Sequence, residues 1–276
     1  MRGSVFVCAA LSLFMTFGTS AWGADNLLGL DTNPGSDATP NPNFHNHSFE
    51  YPAVTGPVNL SARPWVLSGP RVLQNLGPPI GIVPITIGAG TFINPATIPA
   101  GRIGNVDGNQ LGYIFSTTFN DAITGLPVDH AFTQWTSIPL EGGKKYGLHM
   151  GVAKAQAQPS PDSVFTLSMF AYDGSIPVDP MNPPAETLLA SRSLTVADVN
   201  GLTLTDFDAT TLAPVSGINI GKAIGIRIST QSNPSATPVQ TSFDFDNVGV
   251  YVPEPAGMAI LGGMAILLLG SRRRTR

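Results

Sequence analysis

The sequence predicts an all-β fold, an antiparallel β-sandwich with long loops, and three observations carry that expectation. Glycine (30) and proline (25) punctuate the 276-residue chain too often for long helices. Charged residues make up 12% of it, about half the usual share. Apolar and polar residues alternate with period two in several segments, the signature of strands with one face buried and one wet.

The clearest alternation runs through 145–152, 164–172, 223–229 and 241–250. In the third, Ile224, Ile226 and Ile228 share one face while Arg227 points the other way. Such strands belong to antiparallel sheets packed as a sandwich. Further strands are expected over 131–138, 186–193 and 202–207. The segment 173–185 holds Pro177, Pro180, Pro183 and Pro184 and reads as a loop. Residues 24–45, polar and proline-containing, read as a flexible lead-in to a domain over 46–251. Within that domain, 52–101 reads as irregular, with short apolar islands such as 80–87.

The termini read as membrane signals. Arg2 gives a positive start, an apolar run spans 5–17, and Ala21 and Gly23 offer small residues for a cut before Ala24, so 1–23 is expected to be a signal peptide. Its Cys8 is the only cysteine, so the mature chain holds none. At the other end, Val252-Pro253-Glu254-Pro255 precedes an uncharged apolar run over 256–270 and a basic tail over 271–276 containing Arg272, Arg273, Arg274 and Arg276. Fifteen helical residues at about 1.5 Å each reach roughly 22 Å, short of a ~30 Å hydrocarbon core. The run is a marginal transmembrane anchor with its arginines held on the cytoplasmic side.

Between the signals, nine basic residues face seventeen acidic ones, a net charge near −8. An acidic surface without a basic cluster argues against nucleic acid as a partner, because phosphate binding needs positive charge.

The order of Val252-Pro253-Glu254-Pro255, apolar run and arginine cluster resembles the PEP-CTERM sorting domain of Gram-negative bacteria, also catalogued as the ice-binding protein C-terminal domain. The resemblance covers 252–276. It implies an exosortase as partner, membrane anchoring before processing, and release to the cell envelope or extracellular matrix. Asn46 to Glu50, Asp107 to Leu111, Gly142 to Tyr146 and Phe245 to Val248 fall in an order similar to that of carbohydrate-binding jelly-roll domains. That second resemblance implies a jelly-roll-like sandwich with its first and last strands side by side, Glu50 near Asp244 and Asp246, and Asp107 at the same edge. A structural calcium ion held by Glu50 and Asp246 is the expectation that follows. The competing reading puts Asp244 and Asp246 on a solvated strand face.

No nucleophile elbow, phosphate loop or zinc-protease helix is present. His45 and His47 alternate without a third ligand, and His130 and His149 are isolated. Asp206 and Asp208 are types suited to glycoside hydrolysis but read as solvated loop acids. Trp65, Trp135, Tyr113 and Tyr172 are the candidates for stacking on sugar rings. The expectation is a secreted, non-enzymatic envelope or matrix protein with a structural or adhesive role, the alternative being a polysaccharide-binding module of the matrix.

Overall fold

A computed structural model describes residues 27–30, 49, 65–69, 71–75, 82–86, 89–93, 110–116, 120–125, 128–154, 163–174, 184–199, 201, 203–231 and 241–253. The chain divides into two units, Asn26–Val252 and the terminal pair Met1–Asp25 with Pro253–Arg276. Apart from Pro253, the described residues belong to the first unit. No described helix is long and apolar enough to cross a membrane. The signal peptide, the apolar run at 256–270 and the basic tail lie outside the described residues.

The unit is all-β, as the alternation predicts. Twelve strands are described: β1 Val66–Ser68, β2 Arg71–Asn75, β3 Ile82–Thr86, β4 Ala89–Ile93, β5 Gln110–Ser116, β6 His130–Pro139, β7 Gly147–Lys154, β8 Val164–Tyr172, β9 Glu186–Thr195, β10 Thr205–Thr210, β11 Ala223–Gln231 and β12 Thr241–Tyr251. Two five-stranded antiparallel sheets form a sandwich, the first in the order β1-β6-β11-β8-β9 and the second in the order β10-β7-β12-β5-β4. Strands β2 and β3 pair as a separate antiparallel ribbon.

The core fills the space between the sheets. Ile224, Ile226 and Ile228 of β11 are buried there with Leu167 and Met169 of β8, against Leu148, Met150 and Val152 of β7 and Phe243, Phe245, Val248 and Val250 of β12. Phe245 is the hub of the aromatic packing. Its ring lies 5.1 Å from Phe49, 5.4 Å from Phe132 and 6.1 Å from Phe165, the first two edge-on. Phe49 in turn stacks on Trp65 at 5.3 Å. Edge-to-face pairs of this kind contribute about 0.5–1.5 kcal/mol each beyond area burial.

Tyr146 holds the approach to β7. Its hydroxyl accepts a hydrogen bond from the Glu141 backbone N–H at 2.9 Å and donates to the Pro139 carbonyl at 3.4 Å. Gly143, at φ 78°, supplies the left-handed turn between them.

Several expectations give way. The region 52–101, read as irregular, contributes β1 to β4, because short strands interrupted by proline leave little local alternation to detect. Inside the lead-in, Leu27–Leu30 forms a 3-10 turn whose Leu28 is fully buried in the core. Trp65, Trp135, Tyr113 and Tyr172 are all buried rather than displayed for sugar stacking. Asp206 and Asp208, read as loop acids, lie in β10.

Candidate functional site

The outer face of the second sheet gathers the polar side chains that the core excludes. Phe207 and Ala209 of β10 turn inward, so Asp206, Asp208 and Thr210 turn outward. The same alternation sends Gly147, His149, Gly151 and Ala153 of β7 to that face, with Asp244 and Asp246 of β12 and Leu111 and Tyr113 of β5.

Strand register arranges these residues in rows about 4.8 Å apart from strand to strand. Thr210 pairs with Gly147, which pairs with Tyr251. Asp208 pairs with His149, which pairs with Gly249. Asp206 pairs with Gly151, which pairs with Asp246, and Ala153 pairs with Asp244, which pairs with Tyr113. A register shift between Asp246 and Gly249 interrupts β12, and Asn247 there adopts φ 54°. The bulge keeps Val248 and Val250 in the core while the strand continues past Gly249.

At one end of this face the carboxylates are covered. Asp244 is 4% exposed and Asp246 0%. Leu204 packs with Leu111 and Ala153 on the same face. A Cβ on Gly151 would stand 3.2 Å from the Leu204 Cβ. Burial pushes the Tyr113 phenol up from its ordinary range. The solvated-face reading of Asp244 and Asp246 is therefore corrected: the two share a face, and that face is closed.

At the other end the groups are half-open. Asp208 is partly buried, and its Oδ1 is enclosed without a hydrogen-bond partner. Burial raises its carboxyl above the ordinary range; His149 and Arg192 pull it down and Asp206 pushes it up. Arg192 reaches over from β9, its guanidinium 5.2 Å from the Phe207 ring centre and its Nη1 donating to the Asp208 carbonyl at 3.4 Å. The Tyr251 hydroxyl stands 3.5 Å from that of Thr210, and burial keeps the phenol above its ordinary range. Tyr251 lies across the glycine row, since a Cβ on Gly147 would fall 2.0 Å from its Cζ. A carboxyl raised by its burial, beside an imidazole and a neutral phenol, is a set for moving protons.

Of the residues singled out in the sequence, Asp246 and Asp244 come to this face, as do Asp206, Asp208, His149 and Tyr113. Glu50, Asp107, His45 and His47 lie outside the described residues, and His130 is buried. Among the described residues, no group of three or more metal-ligating side chains is clustered. The pairing of Asp208 with His149 was the missed element. Neither residue carries a local motif, and only register joins them.

Residues 40–250 match the family described as HpiC1-like, HpiC1 cyclase. No curated protein matches. Among solved structures, the chain is similar to a Stig cyclase, Fisc, from Fischerella sp. TAU in complex with (3Z)-3-(1-methyl-2-pyrrolidinylidene)-3H-indole, at 19% identity over 75% of this chain and 94% of that one, with a TM-score of 0.48. A cyclase from the same source in complex with 4-(1H-indol-3-yl)butan-2-one gives 18% identity, the same coverages and a TM-score of 0.49. The carbohydrate-binding module TmCBM61 in complex with β-1,4-galactotriose gives 11% identity over 69% of this chain and 89% of that one, with a TM-score of 0.37.

The family match overturns the sequence's functional expectations. The sorting-domain resemblance on Val252, Pro253, Glu254, Pro255 and Arg272, Arg273, Arg274 and Arg276 gives way to a cyclase family that covers the body of the chain. With it fall the exosortase partner, the structural or adhesive role, the polysaccharide-binding alternative and the expectation of a non-enzyme. The physical reason is one of weight: a tail of 25 residues directed a reading of a domain whose own chemistry is written in pairings between strands.

Proposed function

The chain belongs to the HpiC1-like cyclase family, and on that premise we propose that it is an enzyme closing a ring in a small unsaturated substrate by proton transfer. The reaction takes place on the outer face of the second sheet, with Asp208 as general acid. One observation carries the assignment of the acid: a half-buried carboxyl, raised by its burial, whose Oδ1 is enclosed without a partner. A buried carboxyl oxygen left without a hydrogen bond favours holding a proton, which is what a donor needs.

The chemistry balances without a further reagent. Asp208 gives its proton to one carbon of a carbon–carbon double bond. The cation so formed is attacked by a second double bond of the same molecule, closing the ring, and a neighbouring carbon gives its proton to water. Substrate and product are isomers, and the carboxylate recovers a proton from solvent. The neutral Tyr251 phenol, whose ring rests on Gly147 next to the Asp208 row, offers an aromatic group suited to a transient cation. Leu204, Leu111 and Ala153 form an apolar cluster on the neighbouring part of the face, which suits keeping water from the cation.

The test incubates the full chain with a small-molecule extract of its host in heavy water and follows isomer pairs by chromatography and mass spectrometry. A product isomer carrying one deuterium, formed by the wild type and lost with Asp208→Asn, is the expected result. Isomer formation that continues unchanged with Asp208→Asn overturns the assignment of the acid, and a wild type that forms no isomer overturns the cyclase reading for this chain.

A further inference from the structure

Resting on the reading of Asp208 as the general acid, we propose that His149 is a positioning residue that acts through it: the imidazolium charge decides whether the opposed carboxyl holds or releases its proton. The register sets the two directly across from each other on β10 and β7. Directly opposed residues place their Cβ atoms about 4.5–5.5 Å apart. On its other side His149 meets Gly249, which has no side chain. The charged neighbour of the imidazole within its row is thus Asp208.

The other groups facing Asp208 come from three strands. Asp206, two residues along β10 and exposed, disfavours a second carboxylate. Arg192 of β9 favours it with a fixed charge. Tyr251 of β12 stays neutral. Burial alone makes Asp208 a reluctant donor, and a positive charge across the strand pair opposes that effect. The His149 charge makes the opposed carboxyl the readier donor, and without that charge the carboxyl holds its proton to higher pH.

Carbon-13 NMR of aspartate side-chain carboxyls follows the titration directly and needs no substrate; the Asp208 signal is identified by its absence in Asp208→Asn. The charge on His149 lowers the Asp208 carboxyl, so His149→Gln is expected to move the Asp208 midpoint up by on the order of one pH unit. His149→Lys, which restores a positive charge, is expected to return it toward the wild-type value. His149→Asn is a second neutral replacement if His149→Gln folds poorly. Coincident midpoints in the wild type and the neutral variants overturn the role of His149, as does an upward shift in His149→Lys equal to that of His149→Gln. The two readings fail separately: isomer formation that survives Asp208→Asn removes the acid, whereas unmoved midpoints with an inactive Asp208→Asn remove only the histidine.

Discussion

Replacing Gly147 by alanine should destabilise the protein, and only because Tyr251 is present. A Cβ at Gly147 would meet Tyr251 Cζ at 2.0 Å, Oη at 2.2 Å and Cε2 at 2.3 Å, far inside contact distance. The ring must leave its place on the strand, and with it goes the approach to Thr210. Overpacking of this kind costs about 1–3 kcal/mol. Against it stands the gain from restricting the unfolded chain, about 0.4–1 kcal/mol for glycine to alanine where the backbone tolerates it. The net expectation in the wild type is a loss on the order of 1–2 kcal/mol. In a Tyr251→Ala background the obstruction is gone, and the same substitution should stabilise by about 0.4–1 kcal/mol. The four proteins of this cycle, compared by urea denaturation midpoints at a common slope, give the coupling directly. Equal effects of Gly147→Ala in both backgrounds would refute the reasoning that the ring rests on the glycine. Because Tyr251 stands beside the candidate acid, Gly147→Ala should also lower isomer formation.

Asp208→Asn is expected to reduce turnover by about 10²–10⁴-fold, the range for loss of a general acid, without loss of fold by circular dichroism. Burial raises the Asp208 carboxyl, so its proton is held more tightly in the folded chain; the associated stability is complete below the ordinary carboxylate range and is lost as pH rises through the folded value. The melting temperature of the wild type relative to Asp208→Asn should therefore fall between acid and neutral pH, and a constant difference would contradict the burial. Tyr172 donates to the Thr136 carbonyl at 2.5 Å, and burial pushes its phenol up to about 12. Tyr172→Phe should cost about 1–2 kcal/mol, and the wild type should lose this phenol's contribution between about pH 10 and 12 while the variant does not; superimposable alkaline unfolding curves would count against it. The structural calcium proposed at Glu50 and Asp246 is checked by melting with and without EDTA: a lower midpoint restored by calcium supports it, and an unchanged one removes it.

The strands were legible where alternation was long. Segments 164–172 and 223–229 matched β8 and β11 closely, because the pleat of a strand is a local property that two or three apolar residues per face suffice to reveal. The short strands β1 to β4 were not, since proline and glycine between three- to five-residue segments erase the period before it repeats. The buried state of Asp244 and Asp246 was equally hidden. Their alternation with Phe243 and Phe245 places them on the outer face, but their burial there depends on other strands and connections, such as those that bring Leu204 and Leu111 to the same face.

By itself the amino-acid order determined the fold class, the positions of the longer strands and the face each side chain takes, because these follow from backbone geometry and the burial of neighbouring apolar residues. Only the tertiary structure decided that Asp208 meets His149 across a strand pair, that Tyr251 lies on Gly147 and that Leu204 packs beside Gly151 on the acidic face. Those contacts join residues from β7, β10 and β12 and the segment leading into β10, and their register is fixed by the summed packing of two whole sheets rather than by any stretch of sequence near them.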